Sequence, residues 1–293
     1  MPTGASTGVS GRLLGRPVTV FFAATFLYSW GLFALLYAVL GADRLGASRL
    51  WHLPFAWGPP LGAMVATRTS GDGVAAWLRR VADPRTSFGW YVVALLLPFL
   101  FADTRSVIAA AAGVRLELAR PIADVLGSFV LTLFLAGSLE EFGWRGFAQH
   151  RLQERFGALK AAGIVGVAFG LWHLPWLLLG GAGFGVGGVG ALVEMILFAV
   201  LASVVFAWMF NGSGGAVPVV MLAHATINTG TLFEPADPLP GWLPDTQLGL
   251  FLWVALAVGL VVVYGQDRLA PRKPAPFWTE GSDRAAGRRG EPG

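Results

Sequence analysis

The segment SLEEFGWRGF, residues 138–147, places two adjacent carboxylates and an arginine between strongly apolar flanks. A charged side chain at the centre of a bilayer costs roughly 2.5–3.5 kcal/mol on insertion scales, so charges kept there need a role. Glu141 and Arg145 are four residues apart and share a helix face, whereas Glu140 points about 100° away from Glu141. The spacing predicts a Glu141–Arg145 ion pair that supports Glu140, which faces a cavity.

Further polar residues interrupt later apolar runs: His173, Glu194, and His224 with Asn228. With a helix rise of 1.5 Å per residue, Glu140, His173 and His224 are expected roughly 16, 20 and 18 Å from one membrane interface. One carboxylate and two imidazoles therefore reach a common level near the bilayer midplane. A buried carboxylate can act as a general base towards water, and imidazole and amide N–H groups can stabilise an oxyanion.

The same side chains allow a second interpretation, a catalytic zinc site with one open position. Its candidate ligands are Glu140, His173 and His224. The chain has no cysteine, which excludes thiolate ligands, disulfides and cysteine nucleophiles. The HExxH pattern, which places two ligands and a base on one helix, does not occur. We favour a reaction without a cofactor, and a divalent metal such as zinc stays open.

The composition places these residues in a membrane protein. Of 293 residues, 55% are hydrophobic and only 13% are charged, against about a quarter charged in soluble domains. The first apolar run is too long for the core of a signal peptide, about 7–15 residues, so we expect it to be retained. The sequence predicts an all-α, polytopic transmembrane bundle of about eight spans. The apolar segments are 18–40, 53–67, 88–102, 125–150, 161–180, 191–210, 217–233 and 248–265.

The distribution of basic residues predicts the orientation of the chain. With a cytoplasmic N-terminus, sixteen of the 21 Lys and Arg residues fall on the inner side and five on the outer side. The positive-inside rule then makes both termini cytoplasmic. The basic residues are scattered between apolar runs, so we expect no nucleic-acid partner.

Three regions follow from this division of the chain. Residues 1–17 are predicted to form a cytoplasmic N-terminal segment, and residues 18–266 a transmembrane domain whose motif core is 125–230. Residues 267–293 are rich in Pro, Gly and charge, and we expect them to form a disordered cytoplasmic tail.

Three motifs together resemble a known family. EEFGWRG resembles the EExxxRG motif of the CPBP intramembrane metalloproteases, which include type II CAAX prenyl proteases and bacteriocin-processing, Abi-like proteins. FGLWH, residues 169–173, resembles the second motif, FxxxH, and HATIN, residues 224–228, the third, HxxxN. The resemblance implies a multi-helix α-fold with an intramembrane cavity that is open to the cytoplasm.

The resemblance also implies roles for individual residues. Glu140 would be the base that activates a water molecule, and His173 would orient that water or share its proton. His224 and Asn228 would stabilise the oxyanion, while Glu141 and Arg145 would support the site without touching the substrate.

We therefore expect an intramembrane endopeptidase of the bacterial cytoplasmic membrane. Its partners would be the lipid bilayer and a membrane-anchored or lipidated protein or peptide substrate. One alternative is a non-catalytic membrane scaffold or bacteriocin-immunity protein of the same fold. Another is an ion-coupled transporter in which Glu140, Glu141 and Glu194 form a proton path, although the sequence lacks the inverted repeats typical of transporters.

The remaining polar and aromatic candidates have simpler interpretations. His52 and His150 lie near predicted interfaces and are expected to be solvated. Phe169 is expected to be a packing residue. Glu194 belongs to none of the three motifs, and its role stays open.

Overall fold

The computed structural model describes residues 15–180, 188–237 and 248–271. The predicted all-α fold is confirmed, since these residues are mainly helical, with one antiparallel ribbon that pairs β1, Leu116–Leu118, with β2, Phe233–Pro235. The α-helices in chain order are α1 Arg16–Gly46, α2 His52–Phe55, α3 Gly58–Thr69, α4 Val74–Val81, α5 Phe88–Ala102, α6 Thr104–Ala111, α7 Ile122–Leu135, α8 Glu140–Gly143, α9 His150–Phe156, α10 Ala158–Trp172, α11 Leu174–Leu179, α12 Val189–Gly212, α13 Val217–Thr229 and α14 Leu248–Tyr264.

Four helical stretches of the described residues are long and apolar enough to cross a membrane. The bent pair α5 and α6, which meet at 71°, would add a fifth. Each of the eight predicted apolar segments contains a helix, whereas the count of eight crossings and the cytoplasmic position of the termini stay predictions. The four stretches are Arg16–Gly46, Ile122–Phe156, Ala158–Leu179 and Val189–Gly212.

The stretch Ile122–Phe156 is interrupted where its charged residues lie. Ala136, at φ −128° and ψ −129°, ends α7, and one turn of 3₁₀-helix, Gly137–Leu139, leads into α8. A π-helical segment, Trp144–Gln149, then joins α8 to α9. Such π segments inside α-helices frequently mark functional sites. The sequence predicts one uninterrupted span here, because its hydropathy does not reveal the break.

Hydrogen bonds define two opposite ends of the bundle. At the end where α1 begins and α14 ends, called here the basic end, Asn211 Nδ2 donates to the Arg268 carbonyl at 2.6 Å and Arg151 pairs with Asp72 at 2.6 Å. At the ribbon end, where β1 pairs with β2, the Asp103 carboxylate accepts a bond from the Phe233 backbone N–H at 2.9 Å.

The first residues of the predicted tail pack against the basic end. The Asp267 carbonyl accepts a hydrogen bond from the Ala158 backbone N–H at 3.0 Å, and Leu269 is fully buried. Residues of the segment predicted as a tail therefore contact the bundle at positions 267 and 269. Residues 1–14 and 272–293, which make up most of the predicted N-terminal segment and tail, lie outside the described residues.

Glycines let α10 and α12 approach closely. A Cβ atom on Gly166 would lie 2.6 Å from Val200 Cα, and one on Gly170 would lie 2.8 Å from Ile196 Cα. Small residues of this kind allow two helix backbones to pack directly within a membrane. This contact holds the helix that precedes His173 against the helix that carries Ser203.

We expect Gly166→Ala to destabilise the protein by about 1–3 kcal/mol, because the added methyl group would overlap backbone atoms of α12. Thermal unfolding of the purified protein in detergent measures the effect. The matched control is Gly163→Ala on the same helix, where a Cβ would meet no atom within 4 Å. Equal melting temperatures for the two variants would contradict the assigned helix contact.

Candidate functional site

One cavity of about 340 Å³ collects the motif residues from three separate parts of the chain. Glu140 and Glu141 begin α8, His173 lies at the junction of α10 and α11, and α13 carries the third motif. The structure therefore brings together all six residues that the motifs indicate. The motif residues that line the cavity are Glu140, Glu141, Arg145, His173, His224 and Asn228.

The Glu141 carboxylate is the centre of a buried network. Arg145 Nη1 donates to Oε1 at 3.0 Å and to Oε2 at 2.8 Å, which is the ion pair expected from the i, i+4 spacing. His224 Nδ1 bonds the same Oε1 at 2.7 Å. Arg145 Nη2 donates to Ser203 Oγ on α12 at 2.9 Å. All four side chains are buried, so Glu141 and Arg145 connect α8, α12 and α13.

Two phenylalanines hold the charged and imidazole groups in place. The Arg145 guanidinium lies 4.8 Å from the ring centroid of Phe206, and that ring lies 6.1 Å from the His224 ring. The Phe169 ring packs against both histidines, with ring centroids 4.7 Å from His173 and 6.0 Å from His224. Phe169 is thus a packing residue, as expected.

Hydrogen bonds to the Nδ1 atoms determine which ring nitrogens are available to the cavity. The Phe169 carbonyl, at 3.0 Å from His173 Nδ1, can only accept a bond, so Nδ1 carries the proton and Nε2 of the neutral ring keeps its lone pair. The Glu141 carboxylate likewise requires a proton on His224 Nδ1. His224 Nε2 can then donate only when the ring carries both protons, whereas the Asn228 amide donates in every state.

Glu140 differs from Glu141 in its bonding. Its side chain is 1% exposed and it lines the cavity, yet its Oε2 has no hydrogen-bond partner among the described residues. Both oxygens of Glu141 are bonded by protein groups. Glu140 is therefore the less committed of the two carboxylates at the cavity, while Glu141 is committed to holding its neighbours.

Gly137 packs closely against the two polar groups of the third motif. A Cβ atom at this position would lie 2.5 Å from Asn228 Nδ2 and 2.9 Å from His224 Nε2. Only a glycine allows the backbone before α8 to approach both nitrogen atoms so closely. Gly137, Ser203 and Phe206 are not predicted from the sequence, because a glycine, a serine and a phenylalanine within apolar runs have no distinctive pattern.

The structure changes the interpretation of the two remaining histidines and of Glu194. His52 is half-buried, lines the cavity, and its ring lies 12° from parallel to that of His173 with centroids 5.7 Å apart. His150 is 6% exposed, with Nε2 3.5 Å from Glu154. The prediction that both are solvated is wrong, since interface proximity along the sequence does not report packing. Glu194 is exposed on α12 and does not line the cavity.

The candidate zinc ligands do not fit a three-ligand site. Among the described residues, no three His, Asp or Glu side chains are grouped so that they could hold one ion. The proposed mechanism therefore has no step that involves a metal ion.

The cavity has a closed floor and a partly open rim. The floor consists of the buried side chains of Glu141, Arg145, Ser203 and Phe206. The rim residues lie on the parts of α7, α12 and α13 that lead to the ribbon end, and they are half-buried or exposed. These rim residues are Ser128, Leu131, Met195, Phe198, Ile227 and Asn228.

The part of the chain that contains this site is similar to known proteins. Residues 122–230 match the family described as type II CAAX prenyl endopeptidase, Rce1-like. A stretch of 47 residues is 43% identical to CAAX prenyl protease 2 of Methanococcus maripaludis, which is 16% of this chain and 17% of that protein. The matched family segment contains all six motif residues, and His52 lies outside it. Together with the long apolar helices, the match indicates an integral membrane protein.

We expect Glu141→Gln to lower the free energy of unfolding by about 3–5 kcal/mol, because it leaves the Arg145 guanidinium buried without its counter-charge. Ser203→Ala should cost less, about 1–3 kcal/mol, since it removes one hydrogen bond to the charged group. Thermal melting in detergent compares the two. Ser128→Ala is the control, because that hydroxyl bonds only the Val125 carbonyl of its own helix, and its melting temperature should stay near that of the wild type. A Glu141→Gln variant as stable as this control would show that the network does not stabilise the fold.

Proposed function

We propose that this chain is a member of the CPBP family of intramembrane proteases and an endopeptidase that hydrolyses peptide bonds of membrane-anchored or lipidated polypeptides. The observation that carries the proposal is the buried Glu140 carboxylate, which lines a cavity shared with His173, His224 and Asn228 and has one oxygen without a hydrogen-bond partner among the described residues. Peptide hydrolysis requires a base, a group that carries a proton and an amide that donates a hydrogen bond to the oxyanion, and these side chains can supply all three.

Glu140 accepts the proton of the attacking water in this mechanism. The water oxygen then forms a bond to the carbonyl carbon of the scissile peptide. His173 Nε2, which keeps its lone pair because Nδ1 donates to the Phe169 carbonyl, accepts a hydrogen bond from the same water and orients it. Such general base catalysis typically contributes 10²–10⁴-fold.

The negative charge that develops on the carbonyl oxygen is stabilised by the third motif. The Asn228 amide donates one hydrogen bond, and His224 Nε2 donates a second when its ring carries both protons. Gly137 lies close to both donor groups, and a side chain at this position would displace them. When the tetrahedral intermediate collapses, the carbon–nitrogen bond breaks and the departing amine takes the proton held by Glu140.

The burial of the site indicates the class of substrate. Glu140 and His173 lie within helical stretches that are long and apolar enough to cross a membrane, and α13 is a shorter apolar helix. This placement favours a scissile bond that is held at the bilayer by an anchor on the substrate. A bacterial cytoplasmic membrane is the location we propose, with the bilayer and the anchored polypeptide as partners. Processing of a bacteriocin precursor is one reaction of this class.

Glu140→Gln should reduce peptide cleavage by at least about 10²-fold, because the amide cannot accept the proton of the water. The assay uses purified protein in detergent with a library of membrane-anchored and farnesylated peptides, followed by mass spectrometry. The matched control is Glu194→Gln, which changes an exposed glutamate outside the cavity and should keep full activity. Each reaction is repeated with a chelator, and loss of wild-type activity there would contradict the metal-free mechanism. Folded wild-type protein that cleaves no peptide would favour the scaffold or immunity function.

Gly137→Ala should lower the rate of cleavage at saturating substrate by about 10²–10³-fold, the cost of losing an oxyanion donor, while the protein stays folded. The new methyl group would occupy the space beside Asn228 Nδ2 and His224 Nε2. Steady-state kinetics and the melting temperature are measured together with Gly127→Ala, where a Cβ meets no atom within 4 Å. Unchanged kinetics in Gly137→Ala would remove the oxyanion role from this part of the cavity.

A further inference from the structure

We infer that His52 is a positioning residue for the reaction, because its imidazole ring stacks against the ring of His173 and holds His173 Nε2 towards the attacking water. The inference rests on the proposed function for the step in which His173 takes part. It is supported by the rings that surround His173 and by the hydrogen bonds with which α1 holds the two segments that carry the stacked imidazoles.

His52 comes from a part of the chain that the three motifs do not include. His52 and Leu53 lie at the start of α2, whereas the other described residues that line the cavity fall between positions 128 and 228. The family match covers residues 122–230, so neither His52 nor Leu53 belongs to it. The N-terminal helices thus bring a third imidazole to a site whose two other imidazoles come from the matched segment.

The rings of His52 and His173 are nearly parallel. Their planes differ by 12° and their centroids are 5.7 Å apart, which is an offset stack. Offset stacking is one of the arrangements that aromatic pairs favour, and it stabilises them beyond the burial of their surface. The His52 ring therefore opposes rotation of the His173 ring about its Cβ–Cγ bond.

Two other rings contact His173 at steeper angles. The Phe169 ring is inclined by 52° with its centroid 4.7 Å away, and the Trp172 ring is inclined by 83° at 4.8 Å. Neighbours of different inclination restrict different movements of one ring. The stack with His52 contributes the nearly parallel contact to this set.

The orientation of the His173 ring decides what its two nitrogen atoms can do. Nδ1 lies 3.0 Å from the Phe169 carbonyl and donates to it, which keeps the lone pair on Nε2. A rotation of the ring out of its present plane would lengthen this hydrogen bond and turn Nε2 away from the water. By holding the plane of the ring, His52 preserves both the tautomer and the direction of the lone pair.

The first transmembrane helix fixes the backbone on both sides of the stack. Ser29 Oγ donates to the Phe55 carbonyl of α2 at 2.9 Å, and Trp30 Nε1 donates to the Trp172 carbonyl, at the end of α10, at 3.0 Å. The rings of Phe55 and Trp172 also pack together, with centroids 4.4 Å apart. Two consecutive residues of α1 therefore hold the two segments that carry the stacked imidazoles, so the stack is part of a rigid contact.

The first experiment observes the His173 ring without any cleavage reaction. The chain has four histidines, so labelling of histidine with a heavy nitrogen isotope gives four sets of imidazole signals in the NMR spectrum of the protein in detergent. The spectrum of His173→Gln identifies the set that belongs to His173. The nitrogen shifts of that set report which ring nitrogen carries the proton.

We expect wild-type His173 to give the signals of one tautomer, with the proton on Nδ1. His52→Leu should lose this single set of signals to a mixture of tautomers, because leucine fills the position without a ring. His52→Phe, which keeps an aromatic ring, should give the wild-type pattern. Unchanged His173 signals in His52→Leu would overturn the inference.

The second experiment measures steady-state cleavage of the anchored peptides by the same variants. His52→Leu should lower kcat by about three- to tenfold, the effect of losing one aromatic pair, with KM within about twofold of the wild type. His52→Phe should keep kcat within about twofold. An equal loss of kcat in both variants would overturn the inference, since a nitrogen atom of His52 and not its stacked ring would then be required. A change in KM alone would overturn it as well, because His52 would then act on substrate binding.

A third variant separates positioning from a general loss of stability. Leu269→Ala removes a fully buried side chain at the basic end, away from the stack, and should lower the melting temperature. It should nevertheless keep the His173 signals and kcat of the wild type. If Leu269→Ala changes both as His52→Leu does, lost stability explains the effect and the inference fails.

The two readouts also distinguish this inference from the proposed function. A wild type that cleaves no peptide, with His173 signals that respond to His52→Leu as expected, would overturn the proposed function alone, because the stack would still hold the ring. A wild type that cleaves peptides, with kcat unchanged in His52→Leu, would overturn the inference and leave the proposed function in place.

Discussion

The Glu141 carboxylate is the group on which the arrangement of the site depends. It accepts two hydrogen bonds from Arg145 and one from His224, and Arg145 extends the network to Ser203. Three helices thereby share one buried charge pair. A change at Glu141 would affect the tautomer of His224, the position of Arg145 and the contact with α12 at once. A buried ion pair of this kind contributes little net stability compared with apolar packing. Removal of only one partner, however, is strongly destabilising, because the other charge stays buried and unpaired.

The neighbouring glutamate can be reactive because Glu141 is committed to this network. Two adjacent carboxylates could otherwise compete for one arginine. The break at Ala136 and the short α8 direct Glu140 and Glu141 to different partners, and only Glu140 keeps an oxygen unbonded among the described residues. The division between a supporting and a reacting carboxylate is therefore a property of backbone geometry as well as of residue type.

The sequence predicted the parts of the site that depend on spacing and polarity. Charges in an apolar run are conspicuous, and the i, i+4 relation predicts the Glu141–Arg145 pair without knowledge of the fold. It could not predict Ser203 or Phe206, because an apolar helix has no pattern that indicates which face meets a distant guanidinium. His52 was misjudged for a related reason, since a half-buried position in a short connecting helix is decided by tertiary packing. The interruption of Ile122–Phe156 was also missed, because hydropathy measures apolar length and not backbone conformation.

The local spacing of the ion pair also has a consequence for the biosynthesis of the protein. Glu141 and Arg145 lie on one helical segment, whereas Ser203 follows Arg145 by 58 residues and His224 follows Glu141 by 83. When this segment enters the bilayer during translation, its later partners have not yet been made. Opposite charges one helical turn apart can neutralise each other from the start, which lowers the cost of inserting the segment. The same two residues that organise the finished site therefore allow its most polar helix to enter the membrane before that site exists.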